Sequence, residues 1–276
     1  MKMNTLEQIK KLLNEQKTNN DTFSSARVSD IYPFWNMDFD QSCTVRFLPD
    51  NDDDNVLFWH ERSLIRLAFQ GIVGDDEAKL VNVVVPCAEM YNMKCPVLST
   101  VRSWFIKRGN TNPSKDEIDK DKLARQYWKK RSYIFQGFVV KDGIPETETP
   151  ESPIRKFVIS PSIINIIKSS LLDGELENNP TDYDKGCDFK IAKAQQGQFA
   201  SYATSNWSRK SRSLNDKERA AIDEYGLSNL SSFLPAQPSL DHLDVIKEMF
   251  DASLRGEKYD PEKWSEYYSP YRMKTA

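Results

Sequence analysis

Apolar positions along this chain fall into two kinds of short run. Over Thr44–Leu48, Val81–Val85, Tyr133–Val140, Lys156–Ile159 and Asp188–Ala192 the residues are β-branched or aromatic and mostly bounded by Pro, Gly or Asp, which predicts five short strands. Elsewhere apolar residues recur every three or four positions. Leu6, Ile9 and Leu13, behind a Thr5/Gln8 capping box, predict an amphipathic helix over Thr5–Gln16. Ile163, Ile166, Ile167 and Leu171 predict a second over Pro161–Leu172. Asn215–Tyr225 starts at a cap and ends before Gly226, and Ser239–Leu254 carries Leu243, Ile246, Phe250 and Leu254 on one face and stops at Gly256.

Long irregular connections are expected at Asp50–Asn55 and Gly109–Asp119. Strands and helices do not alternate regularly, so the pattern fits an α+β chain with a mainly β core, a small barrel with elaborations, better than a doubly wound sheet. Residues 1–25 read as a helical arm and linker, because Lys17–Ser25 is rich in Asn, Thr, Ser and Lys. Residues 26–256 are the expected core. Residues 257–276 hold four acids, four bases, and the rings of Tyr259, Trp264, Tyr267, Tyr268 and Tyr271, a neutral aromatic tail.

With 276 residues, 39% of them hydrophobic, the chain can build a sizeable core. Its net charge of −3 excludes a uniformly basic coat for a polyanion. Charge is unevenly spread, however: 102–141 holds eleven Lys/Arg against four Asp/Glu, leaving about −10 on the remainder. One basic face is expected. No apolar run reaches the roughly 18 residues of a membrane span, the start lacks a secretory signal, and the four cysteines do not form a disulfide-like framework. The expectation is a cytosolic protein with reduced thiols.

The richest segment is Leu123–Asp142, where Arg125, Lys129, Lys130 and Arg131 run through Ser132 into the aromatic residues Tyr133, Phe135 and Phe138. Cations neutralise phosphates and ring faces stack on any base, at roughly 1–3 kcal/mol per base; the same rings can equally be strand residues of the core. A second cluster joins Phe199, Tyr202 and Trp207 to Arg209, Lys210 and Arg212 in a polar stretch that reads as loop. Both clusters are expected to line one cleft, cations on one wall and rings on the other. Enzymatic signatures are thin: there is no phosphate loop, nucleophile elbow or paired-His motif, and the acid run Asp50–Asp54 reads as a solvated loop before it reads as a metal-dependent nuclease. The expectation is that the chain is not an enzyme.

At Val45-Arg-Phe-Leu-Pro49, Ala68-Phe-Gln-Gly71, Cys87 with Cys95-Pro-Val, Lys122-Leu-Ala-Arg125, Lys130-Arg-Ser-Tyr133, Val139-Val-Lys-Asp142 and Asp188-Phe-Lys-Ile191 the chain resembles the gene-32-type single-stranded DNA-binding proteins of T-even-like bacteriophages. The resemblance spans most of Arg27–Tyr202. It implies an OB-fold-like barrel with a small inserted subdomain at about 68–104 and a helical C-terminal flap. It also implies cooperative, sequence-independent coating of single strands in phage DNA replication, recombination and repair, in the cytoplasm of the infected host. It places Arg46 as a groove cation, Tyr91 beside the cysteine pair, Lys130, Arg131, Ser132 and Tyr133 beside the cleft, and Phe199 and Tyr202 as a stacking pair.

Three departures accompany the resemblance. The family's zinc site uses one His and three Cys, but Leu67 and Leu98 stand at two of those four positions. The family's acidic tail, which recruits replication and recombination partners, is absent from the sequence, and the arm keeps only Lys2, Asn4 and Thr5 of a basic-hydroxyl motif for self-association along DNA. A competing reading makes the chain a protein-interaction adaptor of a phage replication complex. No cofactor is expected: a closed zinc site needs four ligands, so elemental analysis of purified protein should find well under one zinc per chain, and a tightly held stoichiometric zinc would refute this.

Overall fold

The computed structural model describes residues 29–77, 79–174 and 176–270; the expected N-terminal helix and linker lie outside them. The strands are β1 (Ser42–Phe47), β2 (His60–Phe69), β3 (Val81–Pro86), β4 (Lys130–Lys141), β5 (Ile154–Ile159), β6 (Cys187–Ala192), β7 (Ala194–Gln196), β8 (Phe199–Ser201) and β9 (Asn206–Ser211). The helices are α1 (Pro96–Val101), α2 (Lys115–Tyr127), α3 (Pro161–Leu172), α4 (Asp216–Tyr225), α5 (Leu240–Leu254) and the single turn α6 (Pro261–Trp264). Ser114 and Asn215 begin α2 and α4 with reciprocal capping boxes to Glu117 and Glu218, satisfying backbone donors that the helix itself leaves open.

The architecture is α+β around a seven-stranded sheet ordered β3-β2-β4-β1-β6-β9, with β5 on the other edge of β4. Every ladder between these strands is antiparallel. β3 and β9, the two ends of the path, do not pair, so among the described residues the α+β fold with a mainly β core is as expected, but the sheet does not close into the expected barrel.

β4 organises the sheet. Lys130–Ile134 pair with β2 and Gly137–Lys141 with β1, while β5 takes Tyr133–Phe138. Because β5 overlaps both neighbours, β2 and β1 must lie end to end along the opposite edge. Where β1 and β4 meet, a Cβ on Gly137 would stand 2.2 Å from the Arg46 carbonyl oxygen, so no side chain fits there.

One buried cluster joins β1, β4, β5, β6 and β9 to Ile163, Ile164 and Ile167 of α3. On the other side of β4, Phe138, Leu48 and Ile154 pack with Leu214 and with Ala221 of α4. A third cluster joins Ile65, Leu67 and Phe69 of β2 to Val83 and Val85 of β3, to α1 and α2, and to Ile246, Met249 and Phe250 of α5. Tyr259 and Trp264 belong to this third cluster as well.

The aromatic tail expected over 257–276 packs, over its described part, against the third cluster. The Gln70 N–H donates to the Glu257 carbonyl at 3.0 Å, and the Val73 N–H and Tyr259 N–H exchange bonds with the Tyr259 and Gly71 carbonyls at 2.8 Å each. The region expected as an insert, about 68–104, shares its buried cluster with α5 and with Tyr259 and Trp264. Removing a buried tryptophan ring costs about 3–5 kcal/mol, so Trp264→Ala should lower the chemical-denaturation midpoint by that much stability; a change below about 0.5 kcal/mol, normal for an exposed site, would return the segment to the status of a tail.

Candidate nucleic-acid interface

Four of the expected contact residues are core. Tyr133, Phe135, Trp207 and Arg46 are 4%, 0%, 8% and 0% exposed. The middle of β4 is buried without interruption from Tyr133 to Phe138, because helices cover both of its faces. Phe135 stacks on Trp59 at 5.5 Å and meets Phe47 at 4.6 Å, and Tyr133 lies under the Lys168 ammonium, 5.1 Å from its ring centre. Trp207 sits in strand β9, not in a loop, and packs on Phe189 at 4.9 Å and Phe47 at 6.1 Å. These rings present almost no surface to solvent.

Arg46 braces the interior instead of a groove. Its Nη2 donates to the Asp182 carbonyl at 2.7 Å and the Arg212 carbonyl at 3.1 Å, and its Nη1 lies 3.5 Å from Asp188 Oδ1. Burial, with repulsion from Arg212, lowers its pKa below the usual arginine value, partly offset by Asp188. Arg212 closes the network, reaching Asp188 at 2.8 Å and Glu218 at 2.7 Å.

The N-terminal end of β4 is different. Directly opposed residues share a face and successive residues alternate, so Lys130, Ser132 and their β2 partners Leu64 and Arg62 share one face with Arg66, which opposes Val84 of β3. No residue of β2, β3 or β4 on this face is a carboxylate: the alternating set is His60, Arg62, Leu64, Arg66 and Ala68, with Asn82, Val84 and Pro86, and Lys130, Ser132, Ile134 and Gln136. Arg62 Nε donates to Ser132 Oγ at 3.3 Å, and partial burial lowers its pKa from the usual value. Among the described residues Arg62, Arg66, Lys130 and Arg131 form no ion pair; Lys130 Nζ donates only to the Arg125 carbonyl, at 2.9 Å. Arg131 projects from the opposite face.

Lys129 and Arg125 are partly committed, Lys129 to Glu89 at 2.9 Å and Arg125 through Nε to Asp121 at 2.6 Å. Tyr91 is half-buried, its hydroxyl donating to the Pro235 carbonyl.

The second predicted cluster is a strand pair and not a loop. β7 and β8 form a hairpin turning at Gly197, whose φ of +61° suits glycine. Phe199 is 78% exposed on it, and Trp35 and Phe39 are exposed near its base. Tyr202 is half-buried, edge-on to Phe34 at 5.8 Å. Lys193 donates to the Trp35 carbonyl at 2.8 Å and lies 5.2 Å over the Phe39 ring. Lys190, Arg209 and Lys210 are exposed and form no ion pair among the described residues.

Ser42 opposes Ala192 and Thr44 opposes both Lys190 and Lys141, so the hairpin rises from the C-terminal end of β4. The cationic face stands at its N-terminal end, eleven steps or about 35–40 Å along the strand. The expected single cleft is thus corrected to two separate patches. The sequence reading missed Arg62, Arg66, Trp35 and Phe39; the alternation of Ile65, Leu67 and Phe69 with Arg66 and Ala68 was the available signal for the first two.

Leu67, Cys87, Cys95 and Leu98 are all buried in the third cluster. The hydrogen bond between Cys87 and Cys95 holds the Cys95 thiol below its usual pKa and pushes Cys87 up. Among the described residues no group of three His, Cys, Asp or Glu side chains is gathered as a metal site, and no helix is long and apolar enough to cross a membrane. No family model matches the chain, and no curated protein matches it.

Arg46→Gln tests the brace. It should cost about 2–4 kcal/mol of stability by leaving the Asp182 and Arg212 carbonyls and Asp188 short of a donor. A loss below about 0.5 kcal/mol in chemical denaturation, normal for an exposed site, would show that Arg46 braces nothing.

Proposed function

We propose that this chain binds single-stranded DNA without regard to sequence and acts by coverage, not catalysis. The observation that carries the reading is the face of β2, β3 and the start of β4, where Arg62, Arg66 and Lys130 stand together with no carboxylate among them. Unpaired cations hold counterions or phosphates equally well, and exchanging one for the other releases ions, which drives binding to a polyanion. Phe199 on the hairpin, with Trp35 and Phe39 near its base, supplies ring surfaces for bases that are not already stacked, which favours a single strand over a duplex.

The ordered motifs shared with the phage gene-32-type proteins support the same reading, including service in replication, recombination and repair and self-association through the N-terminal arm. On this reading the antiparallel sheet is an opened OB-type scaffold whose β4 serves two half-sheets. A strand touching both patches follows β4 for about 35–40 Å, roughly six nucleotides of an extended, unstacked strand and within the 4–16 an OB fold covers.

The test is titration with a dT20 oligonucleotide at several salt concentrations. Arg66→Gln and Lys130→Gln should each flatten the logarithmic salt slope by about 0.7, the value for one single-strand phosphate contact. Phe199→Ala should weaken binding about tenfold with the slope unchanged. Absence of binding at low salt, or equal affinity for duplex, would overturn the reading in favour of the protein-interaction adaptor.

A further inference from the structure

Where α2 ends and β4 begins, Phe105, Arg125, Trp128 and Lys130 line an open cavity of about 610 Å³. Its two rings stand perpendicular, 5.0 Å between centres, and both are half-buried against the cluster that β2, β3 and α5 share. The core therefore holds them from behind, and they form a fixed corner facing the cavity. Arg102 lies 6.0 Å from the Trp128 ring centre and is tethered to Glu89. No carboxylate lines the cavity.

The chemistry of this lining is selective. A perpendicular pair of rings offers a flat surface for a planar group and a second face for that group's edge. Arg125, with its side chain 71% exposed and only its Nε used by Asp121, keeps a guanidinium fork available for an anion, the geometry that suits phosphate. Lys130 brings a second positive charge and belongs at once to the cavity and to the cationic face. A planar aromatic group joined to an anion, continuous with a longer polyanion, meets every one of these features. The volume lies within the range of sites for ligands of that size.

We infer that this cavity takes one unstacked nucleotide of a bound single strand, its base on Trp128 and Phe105 and its phosphate between Arg125 and Lys130. The inference rests on the DNA-binding reading and adds an anchor that the exposed hairpin does not provide: a base held in a fixed corner, from which the backbone leads onto the Arg62–Arg66 face.

The full-length chain is irradiated with a dT20 oligonucleotide carrying 5-iodouracil, and the adducts are mapped by mass spectrometry. An adduct on Trp128 or Phe105 is expected. Binding with adducts confined to other residues would overturn the cavity assignment and leave the reading standing; absence of binding would remove both. In parallel, Trp128→Leu should weaken dT20 about tenfold at unchanged salt slope, whereas Trp128→Tyr, which keeps a stacking face, should stay within about threefold. Unchanged affinity in Trp128→Leu would also overturn the assignment. Because Trp128 touches the core, Arg125→Gln provides a variant at an exposed side chain: a slope flattened by about 0.7 is expected, and no change in slope counts against the site.

Discussion

Strand β4 must be held along both edges and covered on both faces at once, and the rest of the molecule is arranged around that requirement. β2 and β1 share one edge, β5 takes the other, and Gly137 lets the β1 backbone approach where a methyl group would collide. Twelve residues of strand exceed what the covering elements reach. Burial runs from Tyr133 to Phe138 and fades at Lys130–Arg131 and at Val140–Lys141. Chemistry that needs solvent is therefore confined to the strand's two ends, which is where the unpaired cations and the exposed rings stand.

Arginine has two uses in this molecule, and its partners tell them apart. Arg46, Arg155 and Arg212 are tied into carboxylates and carbonyls: Arg155 meets Glu146 at 2.8 Å and Arg212 meets Glu218 at 2.7 Å. Burial alone would raise the pKa of the Glu218 carboxyl, but the bonds from Arg212 outweigh it and the net shift is downward. The Arg46–Asp188–Arg212–Glu218 network ties α4 to the β1–β6–β9 end of the sheet, and breaking one partner leaves charge stranded in a poor dielectric. Arg62, Arg66 and Arg131 have no such partners among the described residues. A cation whose charge is not neutralised internally is available to something external, and the β2–β4 register gathers two of the three, with Lys130, onto one face.

Much of the framework was legible because period-2 and period-3.6 patterns follow directly from strand and helix geometry. All five expected strands exist within a few residues, and the helices at 161–172, 215–225 and 239–254 stand almost where their caps put them. β2 was missed because Glu, Arg, Leu and Ala are good helix formers and its buried set, Ser63, Ile65, Leu67 and Phe69, begins with a polar residue. α2 was missed because its mean composition is polar, and only the Ser114/Glu117 box marks its start. The site was harder to read for a different reason. Tyr133, Trp207 and Phe199 are alike as residue types beside cations, yet two are interior and one is exposed. Which is which depends on what covers the strand, a long-range property set by α3 and by the packing of β9 on β6.

An acidic chain can bind a polyanion only if its positive residues act locally, and the geometry meets that condition. At 0.1 M salt the screening length is about 10 Å, shorter than the run of β4 between its two ends. Acids farther away than that screening length are largely screened from a phosphate that would sit over Arg66 and Lys130, whereas the nearer ones, Glu89 and Asp121, are paired with Lys129 and Arg125. Removing salt lengthens the reach of both signs: the cationic face attracts more strongly, and the acidic remainder begins to repel any strand that strays from it. On the reading proposed above, the β2–β4 face and the hairpin are places where a phosphate chain would meet cations that form no ion pair among the described residues.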